Sequence, residues 1–543
     1  MNQISEPSWR ISTFWLSLSM LVVATGCNRQ AAQTDQLPTK NRPQTVPAEE
    51  GASPGASTTA DFSPAVPINQ PGHGQLQPAD GDLRAEDPTK GWPRPDLAIL
   101  ITGRQHGFIE PCGCTGLAFQ KGGLARRQEL IRQLREQRQW PLLLVDAGNQ
   151  VRRFGRQPEI KFQLTIDRLK KVGYQAIALG PDDLRLPAGE LVASIVDDDP
   201  GQSRFVSANV TVIDPELMPT FRVVSVGDYR IGITSVLGDK AQQSIISDDL
   251  TLRPAAESLA RVVPQLKQAN CDYYLLLVQA SMDETRALAK QFPLFSFIIT
   301  SAGVGDPPKR LEQVEGVEGT IIEVGPKGMF GGVLGLYDDD DIPWRYGLFG
   351  LDASFPDSAP VLEQLKLYQQ ELERAGLEGL GIRPVAHPRG ASFVGSRACM
   401  KCHQQEFKIW ADSPHAKATD SLIEPSERVD IPRHHDPECL SCHVTGWHPQ
   451  KYYPYKSGFL SLDSTPLLVG NGCENCHGPG SSHVAAELKM ENIDQQQRME
   501  WRLSMRLTLE KAKQEQCYQC HDLDNSPDFH PDGFDRYWEQ IAH

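Results

Sequence analysis

Between about residues 95 and 352, short apolar runs alternate with amphipathic stretches along the chain. Short apolar runs bounded by polar residues predict buried strands, and apolar residues at helical spacing predict helices. The predicted strands are 97–102, 141–145, 175–179, 274–278 and 295–300, the predicted helices are 122–138 and 159–172, and a hairpin is predicted over 221–236. This alternation predicts a layered α/β domain over 95–352.

The beginning of the chain has a different pattern. Arg10 precedes an apolar run over 11–24, which is short for a membrane span and has the length of a signal-peptide core. The run continues into Ala-Thr-Gly before Cys27, which resembles a bacterial lipobox, so we expect 1–27 to be a lipoprotein signal peptide and Cys27 to be lipidated. The alternative is an ordinary signal peptide with a coincidental cysteine. Residues 28–94 are rich in Pro, Ala, Ser and Thr without hydrophobic periodicity, which predicts a disordered tether.

Residues beyond the α/β domain return to a helical pattern. Over 359–375 the apolar residues recur at near-helical spacing, which predicts a helix that packs on a domain face within a linker at 353–387. A final domain is expected over 388–543. With 543 residues, the chain is too long for one core. Its formal net charge of −15 argues against nucleic acid as a partner and favours an acidic surface that meets a basic redox protein.

The last third of the chain contains four Cys-x-x-Cys-His motifs. Two thiols three residues apart can form thioethers to the two vinyl groups of one haem, and the adjacent histidine then becomes the proximal iron ligand. The predicted attachment residues are Cys399, Cys402, His403, Cys439, Cys442, His443, Cys473, Cys476, His477, Cys517, Cys520 and His521. The alternative is a pair of zinc ribbons, but such sites do not need a histidine directly after the second cysteine, and all four motifs have one. We therefore expect four covalently bound c-type haems, with porphyrin faces forming much of the interior of this domain.

The residues around these motifs resemble one family. The runs at 410–416, 436–447 and 472–484 are similar to the tetrahaem cytochrome c family that includes the electron acceptor of hydroxylamine oxidoreductase. This resemblance implies a mostly helical domain with haems in close pairs, often with two histidine ligands, although some members keep one iron without a sixth protein ligand. The candidate distal ligands are His415, His483 and His543, with His434 and His435 as weaker candidates and His448 and His530 also available.

The α/β domain resembles another family. The run ILITGRQHGFIEPCGCTGLAFQKGG, with LLLVDAGN and VGYQAIALGPDDL after it, is similar to the 5′-nucleotidase branch of the calcineurin-like metallophosphatases. That family holds two metal ions with aspartate, asparagine and histidine ligands. In this chain His106 keeps its place, but most ligand positions depart from the pattern: Arg104, Asn149, Pro181, Asp182, Gln279 and residues 301–305 stand there instead. Without a bridging carboxylate and with an arginine in the site, we expect no ordinary dinuclear phosphatase centre.

Several residues of this degenerate site are candidates for binding a metal ion or for forming a disulfide. His106, Cys112 and Cys114 lie on one loop near Glu110, and Asp182 and Asp183 are expected at the same rim of the sheet. One hypothesis is an additional mononuclear metal site, a second is a Cys-Gly-Cys redox pair, and a third is a structural disulfide beside a stranded histidine. Arg104 either holds an anion or forms a surface salt bridge.

The leading hypothesis is an electron-transfer lipoprotein at the periplasm or cell surface. Its cytochrome domain would carry electrons to or from redox partner proteins, its lipid anchor would bind the membrane, and its phosphatase-like domain would be a non-hydrolytic docking or binding module. Whether the chain is an enzyme stays open, and we favour electron transfer over phosphatase activity. The alternatives are a phosphoesterase with altered metal ligands and a tethered cytochrome, and a multihaem reductase of a small nitrogen or sulfur oxyanion.

Overall fold

The structure, a computed structural model, describes part of the chain. The described residues are 86–111, 120–196, 203–425, 429–489, 493–523, 525–526, 529–530 and 533–543. The predicted signal peptide with Cys27, most of the predicted tether, and the residues Cys112 and Cys114 lie outside them. Within the described ranges, no helix combines the length and the apolar character needed to span a bilayer.

Among the described residues, the α/β part of the chain has thirteen strands, and the part after residue 388 has two short ones. The strands are β1 (Leu97–Thr102), β2 (Leu142–Asp146), β3 (Ala176–Ile177), β4 (Val210–Val212), β5 (Arg222–Val226), β6 (Tyr229–Leu237), β7 (Leu250–Leu252), β8 (Tyr273–Gln279), β9 (Phe297–Thr300), β10 (Glu312–Gln313), β11 (Thr320–Glu323), β12 (Phe330–Leu336), β13 (Trp344–Gly350), β14 (Trp447–His448) and β15 (Tyr453–Pro454).

Helices connect these strands and dominate the carboxyl-terminal part. They are α1 (Leu124–Arg132), α2 (Arg156–Val172), α3 (Ala188–Ile195), α4 (Asp239–Gln242), α5 (Ala255–Gln268), α6 (Met282–Gln291), α7 (Ala359–Gly379), α8 (Ser396–Cys399), α9 (Gln404–Asp412), α10 (Asp420–Ile423), α11 (Pro437–His443), α12 (Cys473–His477), α13 (Ser481–Glu487), α14 (Gln495–Ser504), α15 (Leu509–Lys511) and α16 (Gly533–Trp538). A π-helical turn at Gln133–Gln137 continues α1, and a 3₁₀ turn at Cys517–Gln519 carries the last motif.

Two sheets form the centre of the α/β domain. The first has the order β13-β12-β1-β2-β3, in which β1, β2 and β3 are parallel and β12 and β13 pair antiparallel. The second has the order β10-β11-β9-β8-β6-β5, with parallel strands β11, β9, β8 and β6 in the middle. Successive residues of β1 are buried on opposite faces of the first sheet. Leu97, Ile99 and Ile101 pack toward the second sheet, whereas Ala98 and Leu100 pack toward the outer helices. Burial on both faces explains why the strand is a continuous apolar run. The predicted layered α/β architecture is confirmed.

The sequence prediction is wrong at the first end of the α/β domain and agrees with the structure at the second. Trp92 stacks on Trp140 with ring centres 6.2 Å apart, and Asp87 forms an ion pair with Arg138 at 2.7 Å. Residues 87–94 are therefore packed against the domain, and the prediction of a tether reaching residue 94 is wrong at that end. The predicted helix at 359–375 forms and packs on α1 and α2, and it reaches a kink at Gly376, where φ is 57°.

Candidate functional site

Each of the four Cys-x-x-Cys-His motifs lies on or beside a helical turn. We number the motifs one to four in chain order, beginning at Cys399, Cys439, Cys473 and Cys517. Motif one begins at the last residue of α8, motif two forms the end of α11, and motif three coincides with α12. The turn is closed by backbone hydrogen bonds, such as those donated by His403 N to Cys399 O and by His521 N to Cys517 O, both 2.9 Å. Residues three apart on a helical turn lie on the same side, so each turn presents its two thiols together.

The four motifs form two neighbouring pairs. The side chains of Cys399 and Cys473 lie close enough to interact, which places motif one beside motif three. The side chains of Cys442 and Cys520 likewise interact, which places motif two beside motif four. The pairing therefore alternates along the chain, so the sequence order of the motifs does not reveal which of them are neighbours in space.

Three motif histidines stand ring to ring with a second histidine. The ring centres are 6.3 Å apart for His403 and His483, 6.1 Å for His521 and His415, and 5.7 Å for His477 and His543. An imidazole nitrogen lies ~2 Å from a bound transition metal, so two imidazoles on opposite sides of one ion have ring centres ~6 Å apart. The three spacings therefore fit an iron between the rings of each pair.

The other nitrogen of several motif histidines is already engaged. Nδ1 lies 2.7 Å from Ala418 O in His443, 2.7 Å from Met505 O in His477, and 2.9 Å from Ser526 Oγ in His521. A carbonyl accepts a hydrogen bond from Nδ1–H, and this tautomer leaves Nε2 as the metal-binding atom. The residues present therefore fit a haem iron, both in spacing and in tautomer.

Burial lowers the pKa of three histidines of these ring pairs, which favours the neutral form that binds metal. It lowers the pKa of His477, and Met505 O, which accepts its hydrogen bond, only partly offsets this. Burial likewise lowers the pKa of His415, with a further contribution from the nearby His443, and it lowers the pKa of His483. Neutral imidazole is the ligand form of histidine.

The remaining histidine candidates lie in other settings. His434 and His435 contact each other with ring centres 4.2 Å apart, and His435 is 3.6 Å from a carboxylate oxygen of Glu373. His448 packs on Tyr453, and the His530 ring stacks on Tyr518.

The helix that carries motif two is also the contact between the α/β domain and the segment 388–543, which carries the four motifs. Lys161 of α2 is 2.6 Å from Glu438, and Arg153 is 3.2 Å from the same carboxylate. Gln157 donates a hydrogen bond of 2.8 Å to Asp436, the residue that caps the amino terminus of α11. Burial opposes ionisation of Glu438, but the charges of Lys161 and Arg153 outweigh it and lower its pKa. Motif two is therefore held against the α/β domain by a charged network.

Replacing Lys161 with alanine is expected to lower the free energy of unfolding by about 2–3 kcal/mol, because it removes the buried cation beside Glu438 and Asp436 and leaves only the more exposed Arg153 near them. The Lys161 side chain is only 7% exposed, so water cannot substitute for the lost ammonium. Lys290→Ala is the matched control, since the Lys290 to Glu315 pair is 51% and 94% exposed and should contribute less than about 1 kcal/mol. Urea unfolding of both variants measures the difference, and equal losses would contradict the prediction.

A cleft of about 380 Å³ lies where the metallophosphatase resemblance places the metal site. It is lined by Arg104, His106, Asn149, Arg152, Pro181, Asp182, Ala241, Gln279, Ala280, Ser301, Pro326 and Lys327. The structure thus brings together the sequence-predicted positions Arg104, His106, Asn149, Asp182 and Gln279.

Two expectations about the rim of this cleft need correction. Asp183 does not face the cleft with Asp182: it is fully buried and accepts backbone hydrogen bonds from the loop after β2. Glu110 turns away toward the segment 388–543, where it forms an ion pair of 2.5 Å with Arg433. Neither carboxylate is therefore available to a ligand in the cleft.

The cleft does not fit a dinuclear metal centre. Its lining residues include one carboxylate, Asp182, and one imidazole, His106, against the cations Arg104, Arg152 and Lys327. In the part of the chain that the structure describes, no three histidine, cysteine, aspartate or glutamate side chains converge as a metal site would require. Hard divalent ions need several anionic oxygen ligands, and fixed cations repel them. The hypothesis of an additional site that uses Cys112 and Cys114 falls outside the described residues.

The sequence analysis missed residues of the cleft and residues of the contact between α2 and α11. Arg152 and Lys327 line the cleft without belonging to any motif. The contact residues Lys161 and Asp436 were missed as well, although Asp436-Pro-Glu is a recognisable helix-capping sequence that points to the start of α11.

Comparison with known families supports the division of the chain. Residues 398–478 match the family described as cytochrome c554 and c-prime. Cytochrome c-554 of Nitrosomonas europaea is 34% identical over 99 residues, which is 17% of this chain and 40% of that protein. An apyrase of Aedes albopictus is 23% identical over 297 residues, which is 49% of this chain and 53% of that protein. The chain thus spans about half or less of the length of these relatives.

Solved structures resemble the chain as well. A 5′-nucleotidase precursor from Thermus thermophilus has a TM-score of 0.44 at 20% identity, covering 60% of this chain and 66% of its own. The sulfate thiohydrolase SoxB from the same organism has a TM-score of 0.44 at 16% identity, covering 54% of this chain and 63% of its own.

Proposed function

We propose that this chain, whose carboxyl-terminal segment matches the cytochrome c554 and c-prime family, is an extracytoplasmic electron carrier with four covalently bound c-type haems. The observation that carries the proposal is the meeting of the four Cys-x-x-Cys-His motifs in two pairs, with second histidines opposite three of them. Haem iron supplies one-electron redox chemistry when it is bound.

The residues of the chain would hold these groups in defined roles. The eight motif cysteines would form the thioether links, and the four motif histidines would bind the irons. His483, His415 and His543 would be the second histidine ligands with His403, His521 and His477, because their rings stand at the spacing that two ligands of one iron require. Neighbouring motifs would then bring successive redox centres close enough to share electrons.

The α/β domain is proposed to be a non-hydrolytic docking module. The cleft lacks the anionic donors of a dinuclear centre, and the domain contacts the helix of motif two through Lys161, Arg153 and Gln157. The formal net charge of −15 favours a basic redox partner. Lipidation at Cys27 would fix the protein to a membrane, and the module would then position the cytochrome for its partner.

Counting haems tests the proposal. The intact protein, produced in a bacterium that attaches c-type haem, is expected to carry four haems by pyridine haemochrome and by intact mass. The double substitution Cys517→Ala and Cys520→Ala removes both thioether sites of motif four, so it should lower the count to three. Cys271→Ala, the one described cysteine outside the motifs, should leave four. A colourless protein, or a count that Cys271→Ala changes and the double substitution does not, would refute the assignment.

A further inference from the structure

The cleft in the α/β domain carries an excess of positive charge. Arg104, Arg152 and Lys327 line it, and Asp182 is the carboxylate among its lining residues. Its volume of about 380 Å³ lies within the range of sites that hold small organic ligands, roughly 300–1,000 Å³. A concave surface with clustered cations favours an anionic occupant.

The backbone around the cleft is held in an unusual conformation. Arg104, His106, Asn149 and Lys327 all have positive φ angles, of 49°, 54°, 63° and 56°. They are four of the nine non-glycine residues with positive φ in the described part of the chain, and all four line this cleft. Positive φ angles are disfavoured for residues with a side chain, and they persist only where the surrounding structure imposes them. Residues with such angles cluster at active sites and ligand-binding sites.

Backbone hydrogen bonds fix these loops to one another. Arg104 N donates to Gly148 O at 2.7 Å, and His106 N donates to Asn149 O at 3.1 Å, which joins the loops after β1 and β2. Gly328 N donates to Arg104 O at 3.1 Å, which adds the loop before β12. The cations therefore stand on a rigid frame before any ligand arrives, which reduces the entropy lost on binding.

Arg104 is held with its guanidinium at the cleft. Its Nη1 donates to Gly303 O at 2.6 Å and to Val324 O at 3.3 Å. Burial lowers the pKa of Arg104, the nearby charge of Arg152 lowers it further, and Glu323 opposes both. Two arginines that repel each other in a partly buried site are stabilised by an anion between them, and their planar guanidinium groups match the oxygens of phosphate or sulfate.

We propose that this cleft binds a tetrahedral oxyanion without any metal ion, with Arg104, Arg152 and Lys327 as the binding residues. The oxyanion is either free or the phosphoryl group of a small phosphomonoester. In this site the arginine and lysine side chains supply the positive charge that metal ions supply in a dinuclear phosphatase. Binding here is independent of whether the cytochrome segment carries its haems.

Titration calorimetry on the intact, haem-loaded protein tests the proposal at low ionic strength in the presence of EDTA. The two probes are inorganic phosphate and glycerol 3-phosphate, which distinguish a free oxyanion from a phosphomonoester. Arg104→Gln should weaken binding about tenfold or more, the effect of losing one charge-assisted hydrogen bond, and Arg104→Lys should weaken it less. Asp182→Asn should strengthen binding, because it removes a carboxylate from the cleft.

A matched control separates site effects from changes in net charge. Arg374→Gln removes one positive charge from an exposed side chain on α7, and it should leave the affinity unchanged. The haem absorbance and the unfolding midpoint of each variant report on folding. Three results would overturn the proposal: no binding of either probe, binding that EDTA abolishes, or equal affinity in Arg104→Gln and Arg374→Gln. If the Arg104 variants unfold, Asp182→Asn decides the test. A misfolded protein would not bind the probe more tightly, so stronger binding supports the proposal, and unchanged or weaker binding by the folded variant contradicts it.

Discussion

Replacing His415 with alanine is expected to convert one of the four proposed haem irons from low-spin to high-spin. The His415 ring stands 6.1 Å from the ring of His521, the motif-four histidine, and it is largely buried. Removing this imidazole leaves that iron with one protein ligand, and the reduction potential of that haem should change by about 0.1 V or more, within the ~0.8 V range that axial ligands control. Electron paramagnetic resonance of the oxidised protein and a redox titration measure both effects.

Two controls make this result specific. His435→Ala removes an exposed imidazole whose partner is Glu373, and it should leave the spin states and potentials as in the parent protein. Added imidazole should enter the space left in His415→Ala and restore the low-spin signal. If His415→Ala keeps the parent spectrum, or if imidazole fails to rescue it while the haem count stays at four, the assignment of His415 as a ligand is wrong.

Asp183→Ala is expected to lower the free energy of unfolding by about 4 kcal/mol or more. The carboxylate is fully buried and accepts hydrogen bonds from the backbone N–H groups of Asn149 at 2.7 Å, Gln150 at 2.7 Å, Val151 at 3.1 Å and Gly180 at 2.9 Å. Each buried donor left without an acceptor costs about 1–3 kcal/mol. Since these donors belong to the loops after β2 and β3, the change should also loosen the frame of the cleft.

The isosteric change Asp183→Asn tests the same contact without a cavity. One carboxylate oxygen becomes an NH₂ group, which then faces N–H donors instead of accepting from them, so most of the loss should persist. Asp283→Ala, at a side chain that is 98% exposed, should change stability by less than about 0.5 kcal/mol. Urea unfolding measures all three, and a small loss in Asp183→Asn would show that the charge and the acceptor are dispensable.

The strands that the sequence predicted are those whose burial makes them continuously apolar. β1 forms over the predicted residues 97–102, and β2 and β8 lie within one or two residues of their predicted positions. The sequence analysis did not predict β12 or its partner β13. In β12, glycines interrupt the apolar run. A Cβ at Gly332 would lie 2.8 Å from the hydroxyl of Tyr346 on β13, so tertiary packing requires glycine where strand propensity disfavours it.

In the candidate sites, the sequence predicts features that depend on neighbouring residues and fails to predict those that depend on contacts between distant parts of the chain. A motif of five residues predicts haem attachment because all of its chemistry is local. The pairing of His477 with His543, and of motif one with motif three, depends on how distant parts of the chain pack. Asp182 and Asp183 were both expected at the same rim of the sheet, but Asp182 lines the cleft and Asp183 is buried in the interior.

The charged network between α2 and α11 has a consequence for any attempt to separate the two halves of the protein. Proteolytic release of the segment 388–543 would leave Asp436 and Glu438 facing water without Lys161, and would uncover Ile431, which is buried among residues of the α/β domain. The released segment would therefore differ from the same segment in the intact chain, with a more negative environment beside its second motif. Potentials measured on such a fragment would describe the fragment alone.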